Sequence, residues 1–379
     1  MEPADTKKMY VFLMVLTIAS ALGLQSWMTL FNNFAVEKVG LDGQHVGVIQ
    51  SVREIPGFLS LLAIYVMLIM KEHRLSALSI LLLGAGVAST GLFPSFAGLL
   101  CATLVMSFGF HYFETTNQSL TLQYFDQTTS PKVFGRLRSL ASGANIVVGA
   151  SIYGLSYILD YRGIYLVFGG VVIATGAWGM TRNPVSKNLI PQRKKMILKK
   201  AYWLYYFLTF MAGARRQIFI AFAVFLMVQR FGYTIKEITI LFLINNLVNY
   251  FLAPIIGKSI LRFGERKVLS LEYASLILVF VAYATVQNKT AIGVIYILDH
   301  IFFNFAIAIR TYFQKIGDPR DIAPTMAVGF TINHIAAVVL PALGGLLWMV
   351  DYRIPFYAGA VMSLVSLMAV QAIRTGQNP

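Results

Sequence analysis

The chain has 379 residues, 57% hydrophobic and only 12% charged, with a mean hydropathy of +0.69. Soluble domains carry about 25% charged residues, so the composition excludes a soluble fold; at roughly 20 apolar residues per bilayer crossing, the length allows twelve spans joined by short loops. The net charge of +15 comes from bases lying between apolar runs, which excludes the continuous basic face that nucleic acid requires, and the single cysteine, Cys101, excludes an intrachain disulfide and a thiolate metal site.

In chain order, Lys7 and Lys8 precede an apolar run too long for a signal-peptide core, which is therefore kept as the first span. Breaks of charge and turn residues predict spans near 9–34, 44–70, 75–93, 96–125, 134–157 and 162–180. A second set is predicted near 201–228, 235–258, 267–286, 290–314, 322–349 and 354–373. With the N-terminus inside, 21 Lys and Arg fall on the cytoplasmic side, 6 on the other and 4 within spans. Cytoplasmic loops retain positive charge, so both termini are expected in the cytoplasm. The loop 181–200 carries seven of those bases and two prolines and reads as a linker between halves 1–180 and 201–379, a topology anchor facing anionic headgroups.

The halves repeat. A shift of 188 residues lays Tyr124-Phe125 on Tyr312-Phe313, Pro131 on Pro319 and Asn145 on Asn333; three more superpose Asp160-Tyr161-Arg162 on Asp351-Tyr352-Arg353. Six spans separate the copies, so both halves enter the membrane the same way round. The fold class predicted is an all-α integral membrane protein of 12 transmembrane helices in two pseudo-symmetric six-helix bundles.

Polar groups inside a span are costly unless they face protein or water, so they point to function. They fall on span 1 (Gln25), span 2 (Arg53, Glu54), span 4 (His111, Glu114, Asn117, Gln118) and span 5 (Asn145). In the second half they fall on span 7 (Arg215, Arg216, Gln217), span 8 (Asn245, Asn246, Asn249), span 10 (Asp299, His300, Asn304, Arg310) and span 11 (Asn333, His334). Spans 3, 6, 9 and 12 hold little beyond Glu272 and Gln371 near their ends, and are expected to face lipid or support the others.

This pattern resembles the major facilitator superfamily. Its loop signature, Gly-x-x-x-Asp-Arg-x-Gly-Arg-Arg/Lys, is matched in part by GKSILRFGERK through Gly257, Arg262, Gly264, Arg266 and Lys267, with Leu261 where the family has aspartate. The first-half copy, YVMLIMKEHRL, keeps little beyond Lys71 and Arg74. The antiporter signature is absent from GASIYGL in span 5, while LPALGG in span 11 supplies Pro341, Gly344 and Gly345. The resemblance implies alternating access around a midplane site driven by a proton or solute gradient, with the five matched loop residues at a cytoplasmic gate.

Residues 111, 114 and 118 stand at i, i+3 and i+7 and share one helix face. Glu114 is the first proton-carrier candidate, with Glu54 and Asp299 beside it; permanent ion pairing is the competing reading of Glu114. Arg53 and Glu54 are about 100° apart on a helix, so one of the two is expected to bind a neighbouring helix. Arg215 and Arg216 offer planar forks suited to carboxylate or phosphate, the alternative being pairing with Asp299 or Glu54. Candidate substrate contacts are Gln25, Arg53, His111, Gln118, Asn145, Arg215, Arg216, Asn245, His300, Asn333 and His334. Four intramembrane arginines against three carboxylates favour an anionic or zwitterionic solute.

The reading is a secondary active transporter, proton-coupled, for a small anionic or polar metabolite. Proton-driven multidrug efflux and a lipid flippase on the same scaffold are the alternatives. No paired-histidine metal motif, activated Ser or Cys, or phosphate loop occurs, so no enzyme activity, metal or cofactor is expected. Expected partners are a small-molecule substrate, a proton or other coupling ion and the lipid of a bacterial inner membrane, without nucleic acid, around a monomer.

Overall fold

A computed structural model describes residues 3–186 and 189–374. Among them twelve helical stretches follow one another. The first six are α1 (Pro3–Glu37), α2 (Gly43–Phe58, continued through Leu59–Leu62 and Ala63–Ile69), α3 (Glu72–Leu92), α4 (Phe96–Tyr124), α5 (Ser130–Leu155) and α6 (Tyr161–Thr181). Then come α7 (Trp203–Phe231), α8 (235–263), α9 (265–285), α10 (Lys289–Phe303, continued through Asn304–Ala306 and Ile307–Ile316), α11 (Ile322–Val350) and α12 (Ile354–Val370). Each predicted span lies on one of them. Among the described residues eight helices are long and apolar enough to cross a membrane, and one of these, Glu237–Thr285, runs through most of α8 and all of α9.

The separation of α8 from α9 rests on one residue. Gly264, at φ 77° and ψ 160°, occupies a region essentially closed to residues with a Cβ, and there the helical run breaks. The corresponding α2–α3 turn uses no glycine: Met70 and Lys71 are simply extended.

Helix starts follow local chemistry. Asp42 caps α2 by accepting from the His45 N–H (2.9 Å), Ser95 caps α4 (Gly98 N–H, 3.1 Å), Asp160 caps α6 (Gly163 N–H, 2.8 Å) and Asn288 caps α10 (Ala291 N–H, 2.9 Å). Thr234 and Glu237 close a reciprocal capping box at α8. The repeated Asp-Tyr-Arg tripeptide is used differently in its second copy, where Asp351 accepts from the Arg353 N–H two residues on (2.8 Å) in the turn before α12.

The chain forms two compact units, Met1–Asp126 with Leu140–Ile197 and Pro319–Thr331, and Gln127–Ser139 with Leu198–Asp318 and Ile332–Pro379. Each unit thus includes a short segment from the other half of the sequence, and the two segments are overlapping copies in the repeat.

In the first unit α3 packs along α6, α4 and α1, and α2 packs on α4. Lipid offers no hydrophobic drive between helices, so close packing relies on small residues. A Cβ at Gly84 of α3 would stand 2.7 Å from the backbone nitrogen of Ile173 in α6. The linker is seated here too: Gln192 donates to the Pro319 carbonyl (2.9 Å) and accepts from the Ala323 N–H (2.9 Å), and Arg193 pairs with buried Asp321. Lys187 and Asn188 of the linker lie outside the described residues.

In the second unit α12 packs along α9 and α7, with a buried aromatic core that includes Phe222, Phe280, Tyr283, Tyr296 and Phe356. The start of α5 lies on α8, where Ser139 Oγ donates to the Tyr250 carbonyl (2.5 Å) and Gly257 faces the Pro131 carbonyl.

Candidate functional site

In the first unit the polar groups gather where α2 breaks. Pro56 has no N–H to give its helix, and the chain turns to a 3-10 winding over Leu59–Leu62. Side chains meet the backbone groups around this break. Ser60 Oγ donates to the Pro56 carbonyl (3.2 Å), Tyr112 Oη to the Leu59 carbonyl (3.4 Å), and Thr331 Oγ1 accepts from the Leu61 N–H (2.9 Å).

Just before the break stand Arg53 and Glu54. The Arg53 guanidinium donates twice to one Glu54 oxygen, at 2.8 and 3.2 Å, and lies 5.8 Å from the Trp27 ring of α1. Their side chains are 22% and 21% exposed. The Arg53–Trp27 contact fits the expectation that one of the two meets a neighbouring helix, and the pairing of the two with each other is added to it. The flexible arginine stem spans the 100° offset, so the neighbours pair with each other.

The Arg53 carbonyl accepts the Ser107 hydroxyl proton. Because that proton is spent, His111 Nδ1 must act as donor toward Ser107 Oγ and the Ser107 carbonyl, both at 2.9 Å. The hydrogen-bond pattern therefore places a hydrogen on Nδ1. On the same face, Glu114 is half-buried and Gln118 is buried, with Nε2 lacking a hydrogen-bond partner among the described residues. Gln25 is occupied within α1, donating to Thr29 Oγ1 (3.1 Å).

In the second unit α10 breaks at Asn304–Ala306, and Asn304 organises the break. Its amide nitrogen donates to Asn249 Oδ1 and to the His300 carbonyl, each at 2.6 Å, and its oxygen accepts from Arg138 Nε (3.1 Å). Arg138, which falls inside the predicted span 134–157 but was not singled out among its polar groups, lies on α5 beside this network. His300 has its ring edge-on to Phe219 and Tyr296, at 4.7 and 4.6 Å, and its Nδ1 3.1 Å from the Tyr296 carbonyl. Asp299 is fully buried, and neither of its oxygens has a hydrogen-bond partner among the described residues. The same holds for both amide atoms of buried Asn245.

Arg215 is not with this group. It is fully buried, 3.9 Å from Glu272 of α9, 4.4 Å from the Tyr273 ring centroid, and donates to Ser366 of α12. Its expected partners were Asp299 or Glu54; the partner is Glu272, which the sequence places near the end of an outer helix and the structure buries completely. Arg216, the next residue, is half-buried. Asn333 donates to the Thr209 carbonyl of α7 (3.1 Å), Asn145 is half-buried and His334 is buried.

The signature loop spreads its residues over several contacts. Arg266 donates twice to Gln371 at the end of α12 (3.0 and 3.1 Å), Arg262 lies over Phe263, and Lys267 is exposed. The acidic residue that forms an ion pair here is Glu265, buried and 2.8 Å from Lys315 of α10. A further carboxylate unremarked in the sequence is half-buried Glu72 at the start of α3, which accepts from Gln123 (2.7 Å). Both sit beside loop bases, and charge counting along the sequence gives them no distinction. In the LPALGG segment, Gly344 faces the Phe222 ring, and the Pro341 side chain lies outside the described residues.

No curated protein sequence matches the chain. Its fold is similar to the human organic anion transporter MFSD10 (TETRAN), at 11% identity and a TM-score of 0.77, covering 98% of this chain and 100% of that one. It is similar to the E. coli fucose:proton symporter FucP, at 11% identity and a TM-score of 0.77, covering 96% and 98%. A bacterial homologue of the iron transporter ferroportin follows, at 11% identity, a TM-score of 0.75, and the same 96% and 98% coverage. At such identities the likeness shows the fold. The sequence itself matches the Major Facilitator Superfamily over residues 8–317, so this multi-pass membrane protein belongs to that family of transporters.

Proposed function

We propose that the chain is a proton-coupled secondary transporter of a small organic anion, in which Arg53 recognises the anion and Glu54 reports protonation. The partly exposed Arg53–Glu54 pair, set beside the break in α2, carries this reading. An ionised Glu54 occupies the guanidinium. A proton on Glu54 discharges the carboxylate and releases the fork for a substrate carboxylate or phosphate, so proton and anion binding favour each other. His111 and Glu114, one turn apart on α4, supply further protonatable groups on the same unit. The unmet amide of Gln118 on the same unit suits a polar solute. Arg216, Asn145, His300, Asn333 and His334 remain secondary candidates, whereas Arg215 and Glu272 are read as an internal tie.

The distribution of bases supports a bacterial inner-membrane orientation with both termini cytoplasmic. In this orientation Gly257, Arg262, Gly264, Arg266 and Lys267 belong to a cytoplasmic gate, with Glu265–Lys315 as its ion pair in place of one through the aspartate position. The scaffold is shared with transporters described as carrying organic anions and as proton symporters. The test is anion binding to purified protein across pH, with Glu54→Gln alongside. Wild-type binding is expected to strengthen as pH falls, and the variant to bind at the low-pH level throughout. An unchanged pH dependence in Glu54→Gln would overturn the coupling role.

A further inference from the structure

A cavity of about 450 Å³ opens in the first unit at the end where α1 and α5 finish and α6 begins. Its floor is apolar, with Leu30, Ile152 and Ile164 buried, while its polar lining includes Lys38 and Asp160. This is the range of small-molecule sites, but the location differs from that of the break in α2. Glu37 holds the rim in shape, accepting from Tyr161 Oη (2.8 Å) and from Asn33 Nδ2 (3.3 Å). Next to the cavity, Tyr153 on the last turn of α5 and Tyr157 and Ile158 in the turn that follows it are strongly exposed, and the two tyrosines are linked hydroxyl to hydroxyl (2.8 Å). Exposed tyrosines at a helix end mark the membrane interface.

An apolar floor, a lining that offers the cation Lys38 and the anion Asp160 with the Glu37 carboxylate at the rim, and an interfacial level together fit an amphipathic zwitterion. We propose that this cavity binds a phospholipid with an ethanolamine headgroup, its phosphate on Lys38 and its ammonium on Asp160, with the glycerol and upper acyl chain against Leu30, Ile152 and Ile164. Glu37 and Asp160 disfavour an anionic headgroup by repulsion.

The test is native mass spectrometry of protein extracted from nanodiscs containing equal phosphatidylethanolamine and phosphatidylglycerol. Asp160→Asn removes charge yet keeps an oxygen able to cap Gly163, and Lys38→Gln leaves every helix cap in place. Wild type is expected to retain the ethanolamine lipid preferentially. The preference is expected to fall about tenfold in the Lys38→Gln, Asp160→Asn protein and in part in Lys38→Gln alone. Equal retention of the two lipids by wild type, or an undiminished preference in both variants, would overturn the proposal. Displacement of the lipid by millimolar free phosphoethanolamine would overturn it too, identifying a small-solute site.

Discussion

Two arginines lie in the middle of spans, each beside one carboxylate, yet they are set in opposite surroundings. Arg53 and Glu54 are 22% and 21% exposed and sit where α2 loses its regular winding; Arg215 and Glu272 are both 0% exposed, between α7, α9 and α12. An exposed pair can exchange its partner for a solute at modest cost, because water already solvates part of each charge. A buried pair cannot, since separating it strands a charge in a medium that does not solvate it. Composition alone treats the two arginines as equals, and their burial separates a pair that reaches solvent from one sealed in packing.

The largest effect should come from breaking the buried pair. Arg215→Leu leaves Glu272 uncompensated and is expected to destabilise the protein by about 3–5 kcal/mol, whereas Arg215→Leu with Glu272→Leu should recover most of that loss. Thermal unfolding in detergent checks both, and a double variant no better than the single would show that the pair is not the source of the penalty. Arg53→Gln should lower proton-driven anion flux in proteoliposomes about 10- to 100-fold, the loss of a hydrogen bond to a charged group. Its unfolding temperature should stay near that of wild type. The smallest effect is expected from Ser107→Ala, which removes the hydroxyl between the Arg53 carbonyl and His111. Flux should fall only a few-fold, consistent with about 1 kcal/mol for a neutral hydrogen bond.

The helices were legible because bilayer thickness imposes a length and Lys, Arg and turn residues punctuate it. Predicted spans and observed helices agree to within a few residues, down to the break at Gly264, which the signature loop supplies. The interruption of α2 is signalled by Pro56. That of α10 is not: Asn304-Phe305-Ala306 contains neither proline nor glycine, and its winding is accompanied by side-chain bonds to Asn249 and Arg138, 55 and 166 positions away. Long-range pairing was hidden for the same reason. Glu272 looks peripheral when residues are counted from a helix end, and only packing brings it to Arg215, 57 positions away by sequence number. The Arg53–Glu54 pairing was missed through treating side chains as rigid spokes, when an arginine stem reaches around its own helix.

The most direct test of the account is a thermal-shift screen against small organic anions of wild type, Arg53→Gln, and the Arg215→Leu, Glu272→Leu protein. Ligand bound only to the folded state raises the unfolding temperature. The account predicts that an anion stabilises wild type and the double variant alike and leaves Arg53→Gln unmoved. Stabilisation retained in Arg53→Gln and lost in the double variant would contradict it, and would move recognition to Arg215.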